Sequence, residues 1–166
     1  VAEMFFPELC EKNSDPRARL HFTDGIQWVA DAKPGSYDVI IVDSTDPVGP
    51  AAGLFSETFY KNCQRALRAH GIVVGQSESP LFHPDLIVSM HQAMRGAGFA
   101  DTATLQFHQV TYPSGWWSCT MACKDAALDG FREQAAAGKD FTTRYYNAAI
   151  HSAARALPEF LRARLA

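Results

Sequence analysis

The 166-residue sequence predicts an α/β domain whose mostly parallel sheet closes with an antiparallel hairpin. Three observations predict it. Short β-branched runs alternate with helical patterns, which implies a parallel sheet with helices on both faces. Two of those runs end in an acid, Asp24 and Asp43. The last two apolar runs are separated by Tyr112-Pro113-Ser114-Gly115, where Pro followed by Gly two residues later is turn chemistry.

Taken in order, Val1 to Pro7 reads as the end of a helix already in progress. It has no initiator Met and no cap residue, so residues are expected to be missing upstream. Arg19 to Phe22 is a short strand that Thr23-Asp24-Gly25 ends. Tyr37 to Asp43 follows Pro34-Gly35, is too short for a typical helix, and reads as a strand buried on both faces. Ser56 to Arg68 places Phe59, Tyr60, Cys63, Ala66 and Leu67 at helical spacing behind Ser56 as N-cap. Gly71 to Gly75 is the next strand. Pro84 to Met94 is a helix with Leu86, Ile87, Met90 and Met94 on one face, stopped by Gly96 and Gly98. Thr102 to Thr111 and Trp116 to Cys123 form the hairpin. Ala126 to Ala137 and Ala148 to Leu165 are helices, the second divided at Pro158. Between them, polar and aromatic residues 139–147 cross the surface. A parallel sheet ending in such a hairpin resembles the Rossmann-like methyltransferase sheet. Its ligands sit beyond the carboxyl ends of the strands.

Composition narrows the function classes. The formal net charge is −3, so no basic field draws the chain to nucleic acid, and attraction for a cation must be local. Cys10, Cys63, Cys119 and Cys123 form no C-x-x-C pair and read as free thiols, with a reducing cytoplasm as the default compartment. No apolar run approaches the ~18 residues of a membrane span, and no signal-peptide pattern opens the chain. The six histidines lack ligand spacing, so no metal is expected. No G-x-S-x-G, Walker loop or G-x-G-x-x-G is present.

The strongest candidate site is Asp43-Ser44-Thr45-Asp46-Pro47-Val48-Gly49-Pro50. Two carboxylates lie three apart on a loop stiffened by prolines, directly after a strand. Asp43 as a helix cap and Asp46 in an Asx-turn is the competing reading. The next helix starts only near Ser56, so the loop is longer than capping needs, which favours a ligand loop. Asp24-Gly25 at a strand end is weaker alone, since turn chemistry also explains it. Tyr112, Trp116 and Trp117 surround one turn and read either as a satellite core or as a wall for a cation or alkyl chain.

Four segments together resemble the spermidine synthases. Tyr37 to Pro50 resembles their catalytic loop, and Thr111 to Ser118 their diamine-side loop. Arg144 to His151 with Leu157-Pro158-Glu159-Phe160 resembles their C-terminal signature, and Asp24-Gly25 their adenine-contacting pair. The resemblance implies that residues 1–166 are the C-terminal part of a catalytic domain. It implies aminopropyl transfer from decarboxylated S-adenosylmethionine, as co-substrate with no bound cofactor, to a diamine such as putrescine. Asp43 would accept the proton and, once buried, would have a raised pKa. Asp46 would hold amines with Ser44 and Thr45. Tyr112 and Gln76 would line the diamine site with Trp116, although Trp117 is equally placed, because strand neighbours face opposite sides. Asp24, Gly25 and Pro50 would contact the nucleoside. The full-length form is expected to be a homo-oligomer.

Family members also carry an N-terminal β-rich domain, a Gly-Gly-Gly-Asp-Gly loop and a strand ending in an acid for the ribose. None occurs in this sequence, so the chain as given is expected to be inactive by itself. A methyltransferase of the same fold and a non-catalytic fragment are the alternatives, and which amine is preferred stays open.

Overall fold

The computed structural model describes residues 1–165. Two short helices, α1 (Ala2–Phe5) and α2 (Pro7–Cys10), open the chain, and α3 (Gly25–Asp31) follows. Strand β1 (Tyr37–Val42) leads through a 3-10 helix (Gly49–Phe55) into α4 (Glu57–Ala66). Strand β2 (Leu67–Gln76), helix α5 (Pro84–Gly96) and strands β3 (Asp101–His108) and β4 (Trp116–Cys123) come next. Helices α6 (Glu133–Ala137), α7 (Ala148–Arg155) and α8 (Glu159–Leu165) complete the described chain.

The strands form one four-stranded sheet in the order β1-β2-β4-β3. β1 and β2 are parallel, with Ile40 beside Val73 and Val42 beside Gly75. β4 runs antiparallel to both neighbours, pairing Gln76 with Cys119 and Thr104 with Thr120. The α/β class and the closing hairpin therefore stand as the sequence predicts, but the described sheet is mixed, with one parallel and two antiparallel pairings, rather than mostly parallel. The turn is closed by the Gly115 N–H donating to the Tyr112 carbonyl at 2.8 Å. Gly115 takes φ 63°, a left-handed conformation that a side chain disfavours.

One face of the sheet carries the core. α4 delivers Phe59, Tyr60, Cys63 and Ala66, α5 delivers Met90 and Met94, and both sets meet Val73 and Ala122. Burying each large side chain contributes roughly 1.5–3 kcal/mol. Caps hold the helix starts: Ser56 Oγ accepts the Phe59 N–H at 3.1 Å, and Asn147 Oδ1 accepts that of Ile150 at 2.9 Å. The opposite face, at Ile72, Leu105 and Met121, is roofed by Phe131, Phe141 and His151. Phe131 and His151 stack with centroids 4.2 Å apart, which desolvates the imidazole and, with Arg155 adding repulsion, holds its pKa below the ordinary value.

The structure corrects several expectations. Arg19 to Phe22 is no strand. It makes no ladder with β1, and Phe22 is 98% exposed, because an apolar run without a strand beside it has nothing to pair with. β1 is not buried on both faces: Ile40 and Val42 meet the core, whereas Val39 is 53% and Ile41 74% exposed. Of the helix expected over Ala126 to Ala137, only Glu133–Ala137 forms. Asp129-Gly130 breaks the pattern, and the Leu128 N–H donates instead to Asp101 Oδ2 at 2.7 Å. The last helix divides at Pro158 as expected, into α7 and α8. The cysteines are unpaired, with Cys63 and Cys123 buried. No helix among the described residues is long and apolar enough to cross a membrane.

Candidate active site

The parallel register of β1 and β2 brings two strand ends together. After Val42 and Gly75, the next residues are Asp43 and Gln76, so both leave the sheet at the same edge. β4 starts at that edge too, because it is antiparallel to β2. A cavity of about 560 Å³ opens there. Asp43 to Asp46, Val48, Gln76, Tyr112 and Trp117 line it. No lysine or arginine among the described residues lines it. The aromatic wall is a stack: the Tyr112 and Trp117 rings lie 4.0 Å apart and 17° from parallel.

Asp43, Ser44, Thr45, Asp46, Gln76 and Tyr112 thus converge on one cavity. Trp116 does not join them. It shares a face of β4 with Ser118 and Thr120 and turns its ring edge-on to Phe160 of α8, with centroids 6.2 Å apart. Strand alternation therefore gives this cavity to Trp117 rather than to Trp116. Asp43 and Asp46 are both exposed, so the expected burial of Asp43 is absent from this chain.

The nucleoside-side candidates sit apart from that cavity. Asp24 caps α3, its Oδ1 accepting the Ile26 N–H at 2.8 Å and the Gln27 N–H at 3.3 Å. Gly25 lines an apolar groove along β1 that also reaches Asp43 and Ser44. Pro50 is exposed in the first turn of the 3-10 helix.

Sequence reasoning stopped at Gln76 and missed Glu78, two residues further on. Glu78 is 4% exposed and lies beside Asp46. Burial raises its carboxyl pKa, and Asp46 adds to the rise by charge and hydrogen bonding, while His83 opposes it. His83 Nδ1 lies 2.6 Å from Glu78 Oε2. The Glu78 backbone adopts φ 58°, a left-handed conformation costing a non-glycine residue about 1–3 kcal/mol. Its N–H donates to Gln76 Oε1 at 3.1 Å, and its carbonyl accepts the Ser118 hydroxyl at 2.8 Å. An acid just past a strand's carboxyl end, as at Asp43, was the available signal.

Beneath this loop runs a buried polar network on the α5 face of the sheet. Ser77 Oγ meets Ser118 Oγ at 2.8 Å, Thr120 Oγ1 donates to Ser77 Oγ at 3.0 Å, and Thr104 Oγ1 meets Thr120 Oγ1 at 3.0 Å. His91 of α5 follows, with Nε2 2.8 Å from Thr104 Oγ1 and Nδ1 2.8 Å from Thr102 Oγ1. Arg95 Nε donates to Thr102 Oγ1 at 3.2 Å. Burial, with the Arg95 charge beside it, depresses the His91 pKa to about 4. The imidazole is therefore neutral near pH 7. Among the described residues no group of three or more His, Cys, Asp and Glu side chains converges as a metal site would.

Residues 1–130 match the family model described as the spermine/spermidine synthase domain. A polyamine aminopropyltransferase of Methylococcus capsulatus is 66% identical over 160 residues, covering 96% of this chain and 56% of the relative. Another, of Thioalkalivibrio sulfidiphilus, is 60% identical over 166 residues, covering 99% of this chain and 59% of the relative. Among solved structures, a spermidine synthase in complex with the transition-state analogue AdoDATO superposes with a TM-score of 0.90. It is 31% identical, over 99% of this chain and 56% of that one. Spermidine synthase from Thermotoga maritima gives a TM-score of 0.86 at 31% identity, over 99% of this chain and 55% of that one. The chain thus spans little more than half the length of these relatives.

Proposed function

The chain belongs to the spermine/spermidine synthase family, and we propose that the enzyme it forms moves the aminopropyl group of decarboxylated S-adenosylmethionine onto putrescine, giving spermidine and methylthioadenosine. The observation that carries this reading is the cavity itself. Carboxylates at Asp43 and Asp46 face a stacked aromatic pair, with no lysine or arginine among the described residues lining it. Such a site suits an alkyl cation.

The amine nitrogen attacks the carbon next to the sulfonium, the C–S bond breaks, and its electron pair neutralises the sulfur. The amine must shed a proton, which Asp43 receives. From an ordinary alkylammonium to an ordinary Asp that transfer is uphill by about 6.5 units, or roughly 9 kcal/mol. The sulfonium beside it lowers the amine pKa, which reduces that barrier. Asp46, with Glu78 behind it, holds the far ammonium in line, and positioning of this kind supplies roughly 7–11 kcal/mol. Ser44, Thr45, Gln76 and Tyr112 offer hydrogen-bonding groups beside the carbon chain. Gly25 contacts the nucleoside, supported by its place on the groove that reaches Asp43. Asp24 and Pro50 rest on the resemblance. The unpaired cysteines support a reducing, cytoplasmic setting, and kinship supports a homo-oligomer.

The test uses the Methylococcus relative with its matched segment replaced by this chain. Spermidine and methylthioadenosine formed from putrescine and decarboxylated S-adenosylmethionine are expected. A chimera that uses intact S-adenosylmethionine instead, methylating the amine, would overturn the reading in favour of a methyltransferase. The 166-residue chain alone is expected to show no turnover and no saturable thermal shift with methylthioadenosine. A shift near 2.7 kcal/mol at a hundredfold excess over Kd, about what a formed site gives, would contradict that.

A further inference from the structure

The buried network ends on the Glu78 backbone, and its hydrogens can be assigned one by one. Each Ser or Thr hydroxyl has a single proton to donate. The Ser118 proton goes to the Glu78 carbonyl at 2.8 Å, with the Ser77 carbonyl as a second, longer acceptor at 3.2 Å, so Ser77 must donate to Ser118. Thr120 donates to Ser77, which leaves Thr104 to donate to Thr120. With that proton committed, the Thr104 oxygen receives a hydrogen from His91 Nε2. Nδ1 of the neutral ring then accepts from Thr102, whose oxygen accepts from the Arg95 guanidinium. All donors point one way, from the arginine to the Glu78 carbonyl, and hydrogen bonds so aligned polarise and strengthen one another. The path runs across β3 and β4 to the residue that follows β2, by Thr104 opposite Thr120 and the Ser77 N–H on the Ser118 carbonyl.

We propose that this one-way chain is a positioning device, in which Ser118, Thr120 and His91 act through the Glu78 backbone to hold its carboxyl beside Asp46 in the amine site. The inference rests on the reading of the cavity as an amine site. Two features point to positioning rather than to core filling alone. The terminal hydroxyl bonds a residue whose left-handed backbone needs external restraint. In addition, the final link is next to two residues that line the cavity, Gln76 and Asp46, and to His83.

The experiment compares Ser118→Ala, Thr120→Val and Thr120→Ser in the Methylococcus chimera. Ser118→Ala is expected to raise KM for the diamine about five- to tenfold, as loss of one such bond does, with kcat within threefold and nucleoside affinity unchanged. Thr120→Val keeps the volume and removes the hydroxyl, so its diamine KM rises. Thr120→Ser keeps the hydroxyl and loses a methyl, so it stays close to wild type. A diamine KM within twofold of wild type for Ser118→Ala, or Thr120→Ser as impaired as Thr120→Val, overturns the proposal. Should Ser118→Ala fail to fold, the Thr120 pair decides. A crystal structure of either hydroxyl-deleted protein in which Glu78 keeps its left-handed backbone and its place beside Asp46 overturns it whether or not the chimera is active. An inactive wild-type chimera counts instead against the proposed reaction.

Discussion

The loop after β1 and the loop after β2 leave the sheet side by side, with Val42 in register with Gly75, yet they are built in opposite ways. The first holds Asp43 and Asp46 in solvent on a frame stiffened by Pro47 and Pro50, and the Ser44 hydroxyl donates to the neighbouring Thr45 carbonyl. The second buries Glu78 in a left-handed backbone, tied at its N–H, its carbonyl and its carboxyl. The difference teaches a division of labour. A group that takes and releases a proton gains from an open loop that substrate can close over. A group that backs a substrate contact, as Glu78 backs Asp46, gains from being locked, because each restraint is then set before substrate arrives.

The largest test of that division is Asp43→Asn. In the chimera it is expected to cut kcat roughly 10²- to 10⁴-fold, the usual loss of a general base, while the nucleoside still binds. Near-normal single-turnover rates would break the comparison on its open side. Asp46→Ala is next. Losing a charged partner of an ammonium should raise the diamine KM about tenfold or more. Isothermal titration with methylthioadenosine should show unchanged nucleoside affinity, and a weakened one would misplace Asp46.

Glu78→Gln sharpens the closed side, since function and stability should move in opposite directions. The substitution should weaken diamine binding by less than Asp46→Ala does. Its effect on stability follows from the raised carboxyl pKa. A carboxyl whose folded pKa lies above its unfolded value favours folding below the unfolded pKa and loses that contribution as pH rises through the folded one. The Gln variant should therefore gain in Tm relative to wild type at pH 8 compared with pH 4. An equal difference at both would show that burial of the charge is not felt. Tyr112→Phe should be milder, a few-fold in diamine KM, because the stack on Trp117 survives without the hydroxyl. Loss of the stack itself, read from Trp fluorescence, would mean that the hydroxyl also orders the wall.

The prediction for His91 is read in the pH dependence of stability. Its folded pKa of about 4 lies below the ordinary value, so the unfolded chain binds the extra proton first. Stability should be full above about pH 6.5 and fall towards pH 4, by at most roughly 1.4 kcal/mol per pH unit. His91→Gln should flatten that slope, and an unchanged slope would assign it to other groups.

Much of this protein was legible in its residue order. Alternating β-branched and helical runs gave the class, and the Pro-x-Gly spacing of Tyr112 to Gly115 located the hairpin, because both are local signals set within a few residues. Asp43-Ser44-Thr45-Asp46-Pro47 marked the catalytic-loop candidate for the same reason. Tertiary structure decided what needs a partner. Arg19 to Phe22 has strand composition but no strand beside it, so it stays without a ladder. Asp129-Gly130 halts a helix once Asp101 offers the Leu128 N–H another acceptor. Trp117 rather than Trp116 faces the cavity because register, not composition, assigns the faces of β4. Glu78 could be placed only when β4 brought Ser118 beneath it and the loop brought His83 to its carboxyl, since the energy of a buried charge depends on neighbours from distant parts of the chain.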